Sequence, residues 1–403
     1  MRGRIFMSVS SCCWLFFCLT RVHGSEAHPG SFIRTIYAEF VDDDAGHFDF
    51  GLSLGKAVGD DIRSAWWSDS ELHALEQWVQ STSIGRRVFQ QIIDDSNRSF
   101  PLYMREVEGM AKGSSIPVHR FLLNQLRTEL DQFAPLRSDL KRRGKCTDAF
   151  VFDTATGTAA WGHNDDWQIN WQRSAYIVVA TVLNSDRSLK VKFGSWLYPG
   201  YLAGMDVTWN SHGVAYTVNS LFPRRFSSAG VGTTFISRHV AEALSVSDAV
   251  ARAVDSRVST AMSYNIGDIN TKRMIQMEVD THGRHSIHEV TGPYFHANQF
   301  RHLWTRQFAD PSTFHRFKRW EELKPTTVDG VRQFLSDSKD PQWPVYRNRT
   351  GRDNCFTDAT CLFDLERGSL FFWNTRASES PPLATFDLSF VNHNNGTSMP
   401  IYM

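Results

Sequence analysis

The sequence has no surplus of charge of either sign, and this argues against one broad class of function. Its 403 residues contain 43 Lys and Arg against 43 Asp and Glu. A nucleic-acid-binding surface needs a concentration of basic residues, and no long basic or acidic block occurs in the chain. We therefore expect no nucleic-acid partner and a surface of mixed charge.

Long apolar runs are also missing, except at the amino terminus. There, Arg2 and Arg4 precede an apolar run at residues 5–19, and the small-residue sequence VHG follows at residues 22–24. This order is typical of a secretory signal peptide. We expect residues 1–24 to be removed and the protein to be secreted or lysosomal. A signal anchor is the alternative, although the run is short for a membrane span.

Cysteine is scarce once the signal peptide is removed. Three of the six cysteines lie within residues 1–24, which leaves Cys146, Cys355 and Cys361. Cys355 and Cys361 are close in sequence, and we expect them to form a disulfide in an oxidising compartment. Cys146 is then the odd thiol, and an unpaired thiol in such a compartment is expected to be either buried or functional.

Metal-binding motifs are missing as well. The chain has 15 histidines, but neither His-Glu-x-x-His nor Cys-x-x-Cys occurs in it. These are spacings that would indicate a zinc site. We therefore expect no metal and no cofactor.

Three sequons agree with passage through the secretory pathway. They place candidate glycosylation sites at Asn97, Asn348 and Asn395.

The pattern of apolar residues changes abruptly near residue 146. Before it, residues 70–131 have the spacing of amphipathic helices, the first of which Ser70 is expected to cap. After it, segments such as CTDAFVF and AYIVVATVL predict strands, with helices between some later strands. We infer one α+β domain with several antiparallel strands and flanking helices, rather than a series of βαβ units.

The boundary between the two patterns suggests a role for Cys146. The polar, basic segment 137–145 directly precedes it, and exposed loops are common sites of chain cleavage. After scission between Lys145 and Cys146, the thiol would be a nucleophile and its own α-amino group, with a pKa of about 8, a base. The same thiol would break the bond by attacking the preceding carbonyl group. The alternatives are an ordinary surface loop and a buried, inert thiol.

The segment GHNDDW, residues 162–167, follows Cys146 at a distance that a β-hairpin would span. Such a hairpin would bring Asp166 close to the amino group of Cys146, where a carboxylate would hold the amine in place. The alternative is that Asp166 only caps a turn.

Cys146 followed by Gly-x-Asn-x-Asp-Trp resembles the pattern of the acyl-coenzyme A:isopenicillin-N acyltransferase family of N-terminal nucleophile hydrolases. This family also contains an insect hydrolase of β-alanyl-amine conjugates. The resemblance covers most of the mature chain, and the order and spacing of its motifs are specific. Six further segments are similar to those of the family: YMREVEGMAKGSSIPVHRFLLNQLRTEL, NSHGVAYTVNSL, TTFISRHVAEALSVSDAVARAV, SYNIGDINTKRMIQMEV, YFHANQF and PSTFHRFKRWEEL.

The resemblance implies a fold and an activation step. The fold is a four-layer αββα sandwich of the N-terminal nucleophile type, with a helical amino-terminal segment. Scission before Cys146 would give a small chain, residues 25–145, and a large chain, residues 146–403, which stay associated as one domain. The residue before the nucleophile is commonly glycine in the family, whereas here it is Lys145.

The resemblance also implies roles for residues other than the nucleophile and its carboxylate. Asn265 would donate a hydrogen bond to the oxyanion of a tetrahedral intermediate, and Arg316 would lie near the thiol. Asn164 and Asn219 would line the substrate pocket.

The implied activity is hydrolysis of a small N-acyl amide through a thioester on the cysteine, with β-alanyl amines as the first candidates. A cationic β-alanyl group would need a carboxylate, for which Asp165, Asp206 and Asp268 are candidates. The aromatic segment WLYPGYLAGMDVTW, residues 196–209, could form a pocket wall. The alternatives are an acyltransferase with an amine acceptor and a non-catalytic secreted binding protein on the same scaffold. The expected partner is therefore a small molecule, with no membrane span after signal removal.

Overall fold

Two β-sheets packed against each other form the centre of the fold. The structure is a computed structural model that describes residues 23–24, 33–136, 145–167, 174–349, 351–352 and 355–388. Among these residues, no helix is both long enough and apolar enough to cross a membrane.

The larger sheet has nine strands, and all neighbours in it are antiparallel except one parallel pair. In spatial order they are β1 (His23–Gly24), β2 (Arg34–Val41), β5 (Tyr176–Leu183), β6 (Leu189–Leu197), β7 (Thr208–Asn210), β8 (Val214–Leu221), β9 (Ala261–Asp268), β10 (Met274–Val279) and β11 (His285–Glu289). The parallel pair is β2 with β5.

The smaller sheet has six strands and is antiparallel throughout. In spatial order its strands are β12 (Tyr294–His296), β3 (Lys145–Asp153), β4 (Thr158–Trp167), β13 (Phe356–Asp364), β14 (Ser369–Trp373) and β15 (Ala384–Asp387). The predicted hairpin after Cys146 is therefore present as β3 and β4.

Among the described residues, six helices precede β3; the last five lie in the region predicted to be helical, whereas the first precedes that region. They are α1 (Asp44–Trp67), α2 (Ser70–Ser81), α3 (Ser83–Ser99), α4 (Pro101–Ser114), α5 (Val118–Gln125) and α6 (Arg127–Phe133). Later helices are α7 (Thr233–Val240), α8 (Val246–Val254), α9 (Pro311–Leu323) and α10 (Val328–Leu335).

The cap of α2 lies one residue earlier than predicted. The side chain of Asp69, not that of Ser70, accepts a hydrogen bond from the backbone N–H of Leu72 at 2.9 Å. A carboxylate and a hydroxyl are comparably good caps, so the two adjacent candidates could not be distinguished from the sequence.

The apolar faces of the two sheets meet in one core. Trp161 of β4 stacks on Phe363 of β13, with ring centroids 4.2 Å apart. Gly267 of β9, in the other sheet, makes room for the Trp161 ring, because a Cβ atom there would lie 2.4 Å from a ring carbon. On the outer faces, α8 packs against β9 and β10, and α10 packs against β3, β4 and β13. Helix, sheet, sheet and helix form four layers, which confirms the predicted αββα fold.

The segment before Cys146 contributes a strand to the larger sheet. β2 lies between β1 and β5 and pairs with β5 along its whole length, from Arg34 opposite Tyr176 onward. A buried ion pair also joins the parts of the chain before and after Cys146, because Nη2 of Arg238 donates to Oε1 of Glu106 at 2.9 Å. Residues before and after the predicted scission site therefore share one sheet and one core.

No disulfide joins Cys355 and Cys361, although both residues are buried. Cys361 lies within β13, and Cys355 directly precedes that strand. Six residues of extended chain span about 20 Å, whereas the Cα atoms of a disulfide are about 4.4–6.8 Å apart. The predicted disulfide is therefore wrong, because an extended strand separates residues that are close in sequence.

Two of the three sequon asparagines are exposed. Asn97 lies near the end of α3, and Asn348 lies shortly before β13. Asn395 and residues 1–22, with most of the predicted signal peptide, lie outside the described residues. Glycosylation and signal cleavage stay predictions.

Candidate active site

Cys146 is the second residue of β3, so the strand begins one residue before the predicted nucleophile. Only 8% of the cysteine surface is exposed. The residue lines a pocket with a volume of about 70 Å³. The thiol therefore lies at the wall of a small cavity.

The aromatic segment 196–209 supplies one wall of this pocket, as predicted. Tyr198, Tyr201 and Met205 line the cavity together with Trp167 at the end of β4. These side chains give the pocket an apolar surface beside its polar groups.

Lys145 and Cys146, the residues on the two sides of the bond predicted to be cut, are both held by contacts with other residues. Lys145 donates from Nζ to Oδ1 of Asp310 at 3.0 Å, and its ammonium group lies 4.8 Å from the centre of the Phe222 ring. The backbone N–H of Cys146 donates to Oδ1 of Asn298 at 3.1 Å. Asn298 belongs to the segment YFHANQF and was not among the predicted site residues.

Arg316 reaches Cys146 from α9, as the resemblance implied. Its guanidinium group donates to the carbonyl oxygen of Cys146, to Oγ1 of Thr147 at 2.8 Å and to Oδ1 of Asn298 at 2.9 Å. The side chain is fully buried. Arg316 therefore fixes the backbone around the nucleophile.

His163, which was not among the predicted site residues, lies beside the thiol. In the β3–β4 ladder Cys146 is opposite Asp165, and Asp148 is opposite His163. Strand alternation places these four side chains on one face of the sheet. The thiol of Cys146, a ring nitrogen of His163 and a carboxylate oxygen of Asp165 all lie within 4.8 Å of one another.

Two carboxylates flank the His163 ring. Its Nδ1 lies 2.9 Å from Oδ2 of Asp148, and its Nε2 lies 3.3 Å from Oδ1 of Asp206. The geometry nevertheless leaves Nε2, which is buried, with no hydrogen bond among the described residues. Asp148 therefore fixes the ring and directs Nε2 towards the pocket.

The electrostatics of the pocket act on the thiol in opposite directions. Burial raises the pKa of Cys146 to about 12, whereas the neighbouring His163 lowers it. For His163, burial lowers the pKa, but the carboxylates of Asp148 and Asp206 outweigh this and raise it well above its usual value. His163 is therefore a cation beside the thiol, and its charge favours the thiolate.

Asp166 lies next to the predicted scission site but on the opposite face of the sheet from the thiol. It is opposite Lys145 in the β3–β4 ladder. Its carboxylate accepts hydrogen bonds from Nη1 of Arg347 at 2.6 Å and from the hydroxyl of Thr357. Its predicted role beside the new amine stays a prediction, and the structure adds Arg347 as its buried ionic partner.

Asn164 does not line the pocket as expected. Its amide group donates to the carbonyl oxygens of Leu335, at 2.8 Å, and Val345, at 3.3 Å. Because successive residues of a strand point to opposite faces, Asn164 faces α10 while its two neighbours face the thiol. This prediction is corrected: Asn164 holds α10 against the smaller sheet.

Asn265 and Asn219 lie on neighbouring strands of the larger sheet. Nδ2 of Asn265 donates to Oδ1 of Asn219 at 2.8 Å and to Oγ1 of Thr217 at 3.2 Å. Asn219 in turn donates to Oδ2 of Asp148 at 2.6 Å. Asn219 is not among the residues that line the pocket, contrary to the prediction, and instead supports the carboxylate that holds His163. Oxyanion donation by Asn265 stays a prediction that requires its present hydrogen bonds to change.

Three buried carboxylates lie close together at this end of the pocket. Tyr198 places its hydroxyl 2.7 Å from Oδ2 of Asp165 and 2.8 Å from Oδ2 of Asp358. The pKa of Asp165 is raised well above its usual value, mainly by burial and secondly by the charge of Asp206. The pKa of Asp358 is also raised well above its usual value, mainly by burial and secondly by the charge of Asp165. A cation that entered the pocket would relieve this repulsion.

The carboxylates that the sequence could not rank are now distinguished. Asp165 and Asp206 line the pocket. Asp268, at the end of β9, instead accepts a hydrogen bond from a backbone N–H in the following turn. Asp165 and Asp206 are therefore the candidates that could meet a substrate.

Comparison with known proteins identifies the family of the chain. Residues 154–371, more than half of the chain, match the acyl-coenzyme A:6-aminopenicillanic acid acyl-transferase family, and the chain belongs to this family. It is similar to the beta-alanyl-dopamine/carcinine hydrolase of Drosophila melanogaster, with 24% identity over 363 residues that cover 83% of this chain and 92% of the relative.

A solved structure also aligns with part of the chain. It is a mutant of the conjugated bile acid hydrolase from Clostridium perfringens, at 12% identity and a TM-score of 0.36, over 57% of this chain and 89% of that one. Family membership and the Drosophila relative identify the protein as an enzyme of the N-terminal nucleophile type that hydrolyses or transfers acyl groups of amides.

Proposed function

We propose that the protein is a self-processing amidohydrolase that cleaves small N-acyl amides with a cationic acyl group, such as β-alanyl amines. One observation carries this proposal: the buried thiol of Cys146 shares a pocket with the carboxylates of Asp165 and Asp206. A thiol supplies the nucleophile for acyl transfer, and the carboxylates supply a site for an ammonium group.

Activation would begin with attack of the Cys146 thiol on the carbonyl carbon of Lys145. The C–N bond breaks, the thiol proton passes to the nitrogen that becomes the α-amine, and a thioester remains on sulfur. Water then hydrolyses the thioester and releases the carboxylate of Lys145. Two contacts favour this step by restraining the bond: Asp310 holds the Lys145 side chain, and Asn298 accepts from the Cys146 nitrogen.

Turnover would use the same sulfur. The α-amine of Cys146 takes the thiol proton, and the thiolate, favoured by the neighbouring charge of His163, attacks the substrate carbonyl. When the tetrahedral intermediate collapses, the α-ammonium group protonates the departing amine. Water then attacks the acyl-thioester with the α-amine as base, and the free acid leaves.

The substrate class follows from the charge and shape of the pocket. Asp165, directly across the hairpin from Cys146, would receive the β-alanyl ammonium group together with Asp206. Trp167 and Tyr201 offer flat surfaces for the ring of a catechol or imidazole amine. The Drosophila relative is a beta-alanyl-dopamine/carcinine hydrolase, which supports the same substrate class.

The two chains formed by scission, residues 25–145 and 146–403, would stay together. β2 of the first pairs with β5 of the second, and Glu106 pairs with Arg238. We also propose that the protein enters the secretory pathway after loss of residues 1–24, which the exposure of the sequon residue Asn97 supports.

The test is release of free amine from β-alanyl-dopamine and from carcinine by the purified, cleaved protein. Asp206→Asn should lower kcat/KM for these substrates by at least about 30-fold, because loss of a buried charge partner costs about 2–5 kcal/mol. N-acetyl-dopamine, which lacks the ammonium group, should be turned over slowly by both proteins and to a similar extent. Asp268→Asn, remote from the pocket, is the matched control.

Acyl transfer is the second candidate, because the family that matches is named for an acyl-transferase. Acyl-coenzyme A with an amine acceptor, and fatty-acyl amino acids, are therefore tested in the same assay. Turnover of these compounds alone would overturn the assignment to cationic acyl amides and leave Cys146 as the nucleophile.

A further inference from the structure

Three side chains of kinds that bind zinc converge on one point in the pocket. They are Cys146, His163 and Asp165, whose ligand atoms lie within 4.8 Å of one another and which are all buried. In a tetrahedral zinc site with bonds of about 2.0–2.3 Å, neighbouring ligand atoms are about 3.3–3.8 Å apart. Small rotations of these side chains would therefore close them around a single ion.

His163 is already oriented as a metal ligand. Its Nδ1 is bonded to Asp148 at 2.9 Å, and a carboxylate in this position is what fixes the ring of a zinc-bound histidine. Its Nε2 is buried and has no hydrogen bond among the described residues. This nitrogen lies 3.3 Å from Oδ1 of Asp206, so a metal ion bound to it would take the place of that ion pair.

Asp165 is oriented in a similar way. Nε1 of Trp196, at 3.1 Å, and the hydroxyl of Tyr198, at 2.7 Å, both donate to its Oδ2. These bonds fix the orientation of the carboxylate. The nearby carboxylate of Asp206 adds negative charge, which would compensate the charge of a divalent cation.

We propose that Cys146, His163 and Asp165 bind one Zn²⁺ ion, which holds the nucleophile in an unreactive form. On binding, the thiol, the imidazolium and a protonated Asp165 carboxyl group each release a proton to solvent, and three bonds to the metal form without any change of oxidation state. A fourth position is left for water. The bound thiolate cannot attack the Lys145 carbonyl or an amide substrate, and zinc competes with the substrate ammonium group for Asp165.

Cobalt titration of chelator-treated protein tests this directly. Co²⁺ should bind at one ion per chain, with visible ligand-field bands of a tetrahedral site and a thiolate-to-cobalt charge-transfer band, and Zn²⁺ should displace it. Cys146→Ala should lose the charge-transfer band, and His163→Asn should lose saturable binding. Asp148→Asn, which removes only the support of the histidine, should weaken binding about 10- to 100-fold.

Cys361→Ala is the matched control, because Cys361 is also buried and its Cα is paired with that of His163 on the neighbouring strand. This variant should keep the band and the stoichiometry. Circular dichroism and thermal unfolding of each variant establish that it is folded. Absence of saturable binding, a band that survives in folded Cys146→Ala, or a band lost in folded Cys361→Ala would overturn the proposal. No substrate is used, so failure of the proposed amidase activity would leave this result unchanged.

Discussion

Asp165 lies directly opposite Cys146 in the β3–β4 hairpin. The nucleophile and a carboxylate proposed to bind the substrate cation therefore share one face of a single hairpin, and their separation is set by strand pairing rather than by loops. This arrangement ties the position of the acyl carbon to that of the ammonium group, so a substrate of fixed length between these groups fits best.

We expect self-cleavage between Lys145 and Cys146. After signal removal, denaturing electrophoresis should show fragments of about 120 and about 260 residues, because the thiol carries out the intramolecular acyl shift. Cys146→Ala should remain one chain, whereas Cys361→Ala should be cut normally. If Cys146→Ala is cut at the same bond, an external protease is responsible and the proposed mechanism fails.

The rate of self-cleavage should still increase with pH above the range in which an ordinary thiol becomes ionised. Burial raises the pKa of Cys146 from 9.0 to about 12 in the intact chain. Below this pKa the thiolate fraction grows about tenfold for each pH unit, so scission should still accelerate at pH 9–10. The uncut protein is kept below pH 6 and then moved to each test pH. Samples are quenched at intervals, and the cut fraction is measured by electrophoresis. A plateau near pH 8–9 would contradict a buried thiol.

Asp166→Asn should lower the activity of the cleaved enzyme about 100-fold, because a contact that positions the α-amine is lost. It should also lower the free energy of unfolding by about 3–5 kcal/mol, since Arg347 loses a buried ionic partner. Thr357→Val removes one hydrogen bond to Asp166 but keeps its charge, and should cost only about 1 kcal/mol. Full activity in cleaved Asp166→Asn would limit Asp166 to a structural role.

Asn265→Ala should lower kcat about 10²- to 10³-fold with little change in KM, if Asn265 donates to the oxyanion. The comparison is Asn219→Ala, because Asn219 accepts from Asn265 and supports Asp148. Steady-state kinetics of both variants decides between the roles. An equal loss in the two would mean that Asn265 acts only by positioning this hydrogen-bond network.

Much of the site could be predicted from local sequence pattern. The change from helical to strand spacing at residue 146 placed Cys146 in β3, and the aromatic segment 196–209 does line the pocket. These features depend on short-range periodicity and composition, which a single sequence contains.

Strand register and long-range partners could not be predicted in this way. A shift of one residue exchanges the two faces of a strand, and for this reason Asn164 was expected in the pocket while His163 was missed. Arg347 pairs with Asp166 across 181 residues of sequence, and no local pattern indicates that contact. The disulfide prediction failed for the same reason, since it used distance along the chain without the extended conformation of β13.

The position of β2 has a consequence for how the protein could recover from heat. Before scission, the strand and its partner β5 belong to one polypeptide, so refolding is independent of concentration. After scission as proposed, they belong to two polypeptides, and recovery requires two molecules to meet. The mature enzyme should then regain activity poorly after dilution, and its working lifetime should be governed by the rate at which it unfolds. Cutting the chain would thus make an equilibrium property of the precursor into a kinetic property of the enzyme.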